Sequence, residues 1–368
     1  MKILIISRTT YPLQSPRAFR TAELSEQLAK MGHQVVVYTI QSKFDYTCYE
    51  RETKVKVKPI KTLFCTSNSD HSGRYKWWDK ILYHCFHKLI EFPDIELFYR
   101  LTSVIQHESN VDLLITIAHP HTIHWGTARA KSKLGNKFPK FWVADCGDPY
   151  MMSPFVKHKQ YLSYFEKKWC RLVDYITVPT HDSKNGYYKE FENKICVIPQ
   201  GFDFLKTPIA QYVPNKIITF IYTGVFYEGK RDPYAFIDFL ATCKFDFKFI
   251  IYTTSTLKGN YAGKLGDKLV VIKGKTRKEI IYELSKADFL LNIVNGNTIQ
   301  TPSKLIDYYI SKRPILEIST KFSEQLQFLQ FVKRDYSTQK IIANGDQYRI
   351  ENVANNFLKL VENNDNNK

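Results

Sequence analysis

The sequence predicts an α/β protein made of two doubly wound, Rossmann-like domains. Three observations carry that prediction. Short apolar runs of strand length alternate with helical patterns along most of the 368 residues, the order that builds parallel sheets covered by helices. The alternation runs twice, interrupted at Pro199, Gln200 and Gly201 and by the irregular stretch that follows to Lys216. The length suits about two domains, each burying its own core.

In order along the chain, Lys2 to Ser7 is a buried strand and Pro16 to Met31 a helix with apolar residues at Phe19, Leu24 and Leu28. Gly32 stops that helix, and Gln34 to Ile40 is the second strand. The first turn carries Tyr11, Pro12, Ser15, Pro16 and Arg17 where a dinucleotide-binding start has glycines, which argues against that function. Lys54 to Lys58 alternates like an exposed strand, and Cys65 to Ser72 reads as a polar loop. From Arg74 to Phe92, Trp77, Trp78, Ile81, Leu82, Cys85, Phe86 and Leu89 recur at helical spacing among basic residues. Two readings of that segment stand: a helix lying on an anionic bilayer, or one packed on its own domain with a solvated basic face.

Asp112 to Ala118 is another buried strand, and Pro120 with Thr122 opens a helix whose first turn holds His121 and His124. Phe141 to Ala144 is a strand leading to the polar turn DCGDPYMMSP. Tyr175 to Val178 and Cys196 to Ile198 are short strands with a helix, Ser183 to Phe191, between them. The first domain therefore spans 1–198. Strands resume at Ile217 to Tyr222, Phe247 to Thr253, Leu269 to Ile272 and Ala287 to Val294, with helices at Tyr234 to Cys243 and Thr276 to Ser285 and a further strand after Pro314. This second domain spans 199–350. Residues 351–368 form a last helix, Val353 to Val361, and a disordered polar tail.

Lys and Arg number 53 against 36 Asp and Glu, a net charge of +17 that draws the protein towards phosphate. The seven cysteines are odd in number and lack the spacing of zinc pairs, which suits reduced thiols in a cytoplasmic protein. The opening lacks a signal-peptide pattern, and no apolar run reaches the ~18 residues that a membrane span needs.

The most informative stretch is Thr301 to Tyr309, TPSKLIDYY. Pro302 sets a backbone angle, Thr301 or Ser303 can cap, and Leu305, Tyr308 and Tyr309 continue a helical rhythm. The first-turn amides beside Lys304, after the buried run ending at Val294, make an anion site at a strand's carboxyl edge. Asp307, one turn on, is placed to accept two hydrogen bonds from a ribose diol. A merely capped helix with a surface ion pair is the alternative.

Taken in order, MKILIIS, PRAFRTAELSEQLAKMGHQVVVYT, DLLITIAHPHTIHWG, WVADCGDPY, VIPQGFD, YTGVFYEGKRDP and TPSKLIDYYISKRPI resemble the two-domain (GT-B) glycosyltransferases of family 4, the group 1 enzymes of bacterial surface polysaccharide synthesis. The resemblance covers nearly the whole chain. It implies two facing domains with an interdomain cleft, the first binding the acceptor and the second a nucleotide-sugar donor. Gly224, Lys275, Thr276, Ser303, Lys304 and Asp307 are the implied donor-binding residues, with Lys230 and Arg231 reaching the diphosphate. Ile299 and Val225 stand where the family often has a glutamate and an arginine.

The expected reaction is transfer of a sugar to a lipid-linked oligosaccharide in capsule, O-antigen or exopolysaccharide synthesis, retaining and independent of metals or other cofactors. Lys230, Arg231, Ser303 and Lys304 would stabilise the leaving diphosphate. His121 would serve near the sugar or the incoming hydroxyl, and Asp148 would orient the acceptor or act as a base. Arg17, Arg20 and His124 are candidate acceptor contacts. A cytoplasmic location follows, with peripheral association at the inner face of the membrane through 74–92. Two rivals are kept: a nucleotide-sugar epimerase of the same fold, and a non-catalytic basic protein binding membrane or nucleic acid. The absence of a compact nucleic-acid module counts against nucleic acid as a partner.

Overall fold

A computed structural model describes residues 1–66, 85–153, 156–229, 231–257, 259, 261–294 and 304–365. The first strands are β1 (Lys2–Ser7), β2 (Gln34–Ile40), β3 (Lys56–Ile60), β4 (Leu113–Ala118), β5 (Phe141–Cys146), β6 (Tyr175–Val178) and β7 (Ile195–Val197). They form one parallel sheet in the order β3-β2-β1-β4-β5-β6-β7. A second parallel sheet contains β8 (Ile218–Thr223), β9 (Phe247–Tyr252), β10 (Leu269–Ile272), β11 (Phe289–Ile293) and β12 (Ile315–Ile318), ordered β10-β9-β8-β11-β12. Both sheets reverse direction of growth beside their first strand, the doubly wound topology expected from the alternating pattern.

The helices are α1 (Pro16–Lys30), α2 (Thr47–Thr53), α3 (Ile95–Gln106), α4 (Thr122–Leu134), α5 (Ser163–Leu172), α6 (Tyr234–Thr242), α7 (Tyr261–Leu265), α8 (Arg277–Ser285), α9 (Lys304–Ser311), α10 (Gln325–Val332) and α11 (Ile350–Asp365). Ser15 caps α1 by accepting the Ala18 amide at 3.2 Å, and Pro16 occupies the first turn, where a missing N–H costs nothing. Gly32, at φ +88°, ends the helix turn in a conformation suited to glycine.

The chain divides into two compact units, 1–202 with 347–368, and 203–346. The last helix does not stand apart as expected. Ile350, Val353, Ala354 and Phe357 are buried with Ile3, Ile5, Leu24 and Leu28 in the core of the first unit. Phe202 ties the return by donating to the Tyr348 carbonyl at 2.9 Å and accepting from the Ile350 amide at 3.0 Å. Helix continues through Asp365, so residues 362–365 belong to it rather than to a polar tail.

The expected helix Ser183 to Phe191 is replaced by two short 3-10 segments, Asp182–Gly186 and Lys189–Lys194. The break has a packing reason. Gly186 sits against Pro149, whose Cβ would lie 2.6 Å from an added side-chain carbon, and Tyr187 then turns extended to bury its ring. Helices α2, α3, α5, α7 and α10 had no counterpart in the sequence reading. Of the segment 74–92 that carries the membrane-facing reading, residues 74–84 lie outside the described residues. No helix among the described residues is long and apolar enough to cross a membrane.

Helix α5 buries a carboxyl group. Glu166 is 1% exposed, and burial raises its pKa to about 7 despite hydrogen bonds from Tyr188 and the Met151 amide. The folded state therefore holds a proton that the unfolded chain has released, and stability falls as pH rises from about 4.5 to 7. Glu166→Gln should remove that slope and gain about 3 kcal/mol over the parent at pH 8, but little at pH 4, in urea unfolding.

Candidate functional site

The reversal of strand order in the second sheet lies between β8 and β11, where parallel sheets open a crevice at their carboxyl ends. Strand β8 runs into Gly224, whose φ of +128° favours glycine. A Cβ there would stand 3.3 Å from the Tyr222 hydroxyl and 3.8 Å from Lys304 Cδ, so the backbone passes close beneath that lysine. The following turn closes by paired bonds in which the Tyr227 and Arg231 amides donate to each other's carbonyls at 2.9 and 2.7 Å. This brings the Arg231 guanidinium over the Tyr227 ring, 5.0 Å from its centroid, with Nε buried and unpartnered among the described residues.

Helix α9 closes the other side. Its Tyr308 hydroxyl accepts the Thr223 amide at 3.0 Å and donates to the Leu291 carbonyl at 2.9 Å, pinning the helix to β8 and β11 together. Lys304, one turn earlier on the same face, is only 8% exposed. Its ammonium lies 4.2 Å from the Tyr222 ring centroid and has no hydrogen-bond partner among the described residues. Burial, reinforced by the positive Arg231, pushes the Lys304 pKa well below its ordinary value against the weaker pull of Glu317. Lys304 and Arg231 are thus neighbouring basic groups with unfilled donors, each lying over an aromatic ring.

The other expected donor residues divide. Lys230 and Ser303 lie outside the described residues. Asp307 does not stand open for a ribose alone: its Oδ1 accepts Arg277 Nε at 2.8 Å and a second, shorter bond from Arg277 Nη2. Burial outweighs the guanidinium and leaves the carboxyl pKa raised. Arg277 was missed, although its place directly after a capping threonine marks a helix start beside the site. Thr276 is that cap: its hydroxyl takes the Glu279 amide at 3.4 Å and its own amide donates to the Glu279 carboxylate at 2.8 Å. Those groups are therefore occupied, and Lys275 pairs with Glu279 at 3.2 Å in solvent.

In the first unit, Arg17 and Asp148 meet at 3.7 Å, with the Asp148 side chain 55% exposed. The Arg17 guanidinium lies over Gly147, where a Cβ would come within 1.4 Å of Nη2. Gly147→Ala should therefore displace Arg17 and separate this pair, visible as movement of the Arg17 side chain in a crystal structure of the variant.

Arg20 is not an acceptor contact. It is 2% exposed, donates from Nε and Nη2 to Asp145 at 2.9 and 2.8 Å, and from Nη1 to the Pro199 carbonyl at 2.6 Å. His124 is also withdrawn, fully buried between Thr116 and Cys146, and burial lowers its pKa to about 3. His121 is 4% exposed, with its ring 5.1 Å from that of Tyr150 and Nε2 donating to the Asp148 carbonyl at 3.1 Å. Burial, with His124 and His119 nearby, holds its pKa well below the usual histidine range, so the described geometry does not present it as an exposed base.

No protein-family model matches the chain, and no curated protein does. Solved structures do. A glycosyltransferase from Rickettsia africae ESF-5 aligns with TM-score 0.61 and 12% identity over 99% of this chain and 93% of its own. HepE of Anabaena, solved with UDP and glucose, aligns with TM-score 0.61 and 9% identity over 99% of this chain and 100% of its own. A UDP-N-acetylglucosamine 2-epimerase from Rickettsia bellii gives 0.54 and 12% over 99% and 96%. The fold is that of the GT-B glycosyltransferases.

Proposed function

We propose that the protein is a glycosyltransferase that takes a sugar from a nucleoside-diphosphate donor held at the carboxyl edge of the second sheet. The buried, unpartnered Lys304 beside Arg231 is the observation that carries the reading, because a diphosphate supplies the negative charge this pair lacks. Cleavage between the anomeric carbon and the diphosphate builds negative charge on the leaving oxygen. Preorganised cations in a low-dielectric site stabilise that charge without reorganising. Lys304 and Arg231 take this role, which is why the proposed reaction is independent of metal.

The polypeptide around Gly224 lets the phosphates approach, and the Arg277–Asp307 pair marks the ribose side. Retention of configuration allows the departing phosphate to receive the acceptor's proton. Arg17 and Asp148, on the first unit, are the proposed acceptor contacts, with a lipid-linked oligosaccharide of a bacterial surface polysaccharide as the acceptor class. The basic surplus suits work at the inner face of an anionic membrane.

The test is incubation with a panel of nucleotide sugars, with and without lipid-linked acceptors, followed by product analysis. Sugar transfer only when acceptor is present is expected. Conversion of a donor to its epimer in the absence of acceptor would replace this reading with the epimerase, a fold relative of which is known. Folded protein that neither binds nor consumes any donor would overturn both.

A further inference from the structure

The first turn of α4 and the last residue of β5 bring three metal-ligating side chains together in the first unit. We propose that His121, His124 and Cys146 bind one zinc-type divalent cation. All three residues are buried, and their ligand atoms lie within 4.8 Å of one another. His121 and His124 are three apart and share a helix face, while Cys146 closes the neighbouring strand.

Hydrogen bonding orients the lone pairs. The Asp148 carbonyl can only accept, so His121 Nε2, 3.1 Å away, carries the proton. Nδ1 is then the bare nitrogen, and it is buried without a hydrogen-bond partner among the described residues. On His124, Nδ1 lies 2.9 Å from the Thr116 hydroxyl oxygen, which also accepts the Trp142 indole N–H at 2.8 Å and can direct its own hydrogen to the Val143 carbonyl at 3.5 Å. With Nδ1–H donating to Thr116, Nε2 offers its lone pair 3.3 Å from Cys146 Sγ. Each imidazole is thus held from behind by an oxygen acceptor, the arrangement that orients metal-bound histidines.

Two imidazoles and a thiol select a borderline cation such as zinc over magnesium or calcium, which require oxygen. Binding replaces the Cys146 S–H bond with a sulfur–metal bond and releases that proton to solvent. The buried Tyr187 hydroxyl, adjacent to the Cys146 thiol, can donate to the thiolate. The bound dication retains one positive charge after the thiolate. The positive end of α4 opposes the cation but favours the thiolate, so its net effect is small.

Metal-stripped full-length protein titrated with Zn²⁺ and Co²⁺ tests the site without any nucleotide, so its outcome is separate from that of the proposed activity. One equivalent of Zn²⁺ should be retained through gel filtration, and Co²⁺ should develop a sulfur-to-metal charge-transfer absorption. Cys146→Ser should abolish that absorption and weaken zinc about 100-fold, and Thr116→Val, which leaves every ligand in place, should weaken it about 10-fold. Cys48→Ser, at an exposed thiol, should change neither. Because buried substitutions can disturb folding, His121→Gln serves as a second ligand variant and circular dichroism is recorded for each. Absence of the absorption from the parent protein, its survival in folded Cys146→Ser, or its loss in Cys48→Ser would overturn the assignment.

Discussion

Lys304→Met is expected to make the protein more stable and to weaken its binding of UDP. The buried ammonium lies over Tyr222 without a hydrogen-bond acceptor among the described residues. Its ring contact recovers up to ~2 kcal/mol, less than the several kcal/mol that desolvating an unpaired charge costs. A methionine of similar shape should therefore raise unfolding stability by about 1–3 kcal/mol. It also removes a charge-assisted contact to diphosphate, so UDP affinity should fall about 10- to 100-fold. The sign with pH is distinctive. A lysine whose folded pKa is depressed binds fewer protons when folded, so its penalty eases as pH rises through that depressed value towards the ordinary lysine range. The parent should gain stability over that window, and Lys304→Met should lack this contribution. Urea unfolding at several pH values and calorimetric titration with UDP read the two effects separately.

Arg20→Ala is expected to be the most destabilising single change in the first unit, at about 3–5 kcal/mol. It strips the partner from Asp145, which is 3% exposed, and leaves a buried carboxylate uncompensated. It also frees the Pro199 carbonyl at the end of the first alternating pattern and removes the guanidinium 5.1 Å from the Phe357 ring centroid. Burial raises the Asp145 pKa, but Arg20 and the Thr177 hydroxyl outweigh it and hold the carboxyl below its ordinary value. That stabilisation is present above the unfolded carboxylate pKa and is lost as pH falls through the lower folded value. The Arg20→Met, Asp145→Asn double variant should lose less than Arg20→Ala alone, since no bare charge remains. Urea unfolding of the three proteins measures this coupling, and a double variant less stable than Arg20→Ala would contradict the pairing.

The same arginine shows where sequence reading reaches its limit. Helix α1, its period and its end at Gly32 were legible because apolar spacing and a glycine stop are local features. Whether Arg20 faced a ligand or the core depended on Asp145, 125 residues away, and no local pattern records such a partner. The place of Lys304 at the start of a helix beside a sheet edge was legible because the strand-then-helix order puts it there. Its burial depended on Tyr222 from β8. The side-chain partners of Thr276 and Asp307 differ in legibility: Glu279 completes a cap that could have been read from the spacing, whereas Arg277 reaches Asp307 across 30 residues. The last helix was found, but its docking on the first unit was not, since amphipathicity reveals a buried face without naming what covers it.

The central claim, a diphosphate receptor made by Lys304 and Arg231, is tested most directly by calorimetric titration of parent, Lys304→Met and Arg231→Ala with UDP and with uridine. UDP should bind the parent at least about 100-fold more tightly than uridine, and both substitutions should remove most of that difference while leaving uridine affinity nearly unchanged. Equal affinity for UDP in all three folded proteins would contradict the claim.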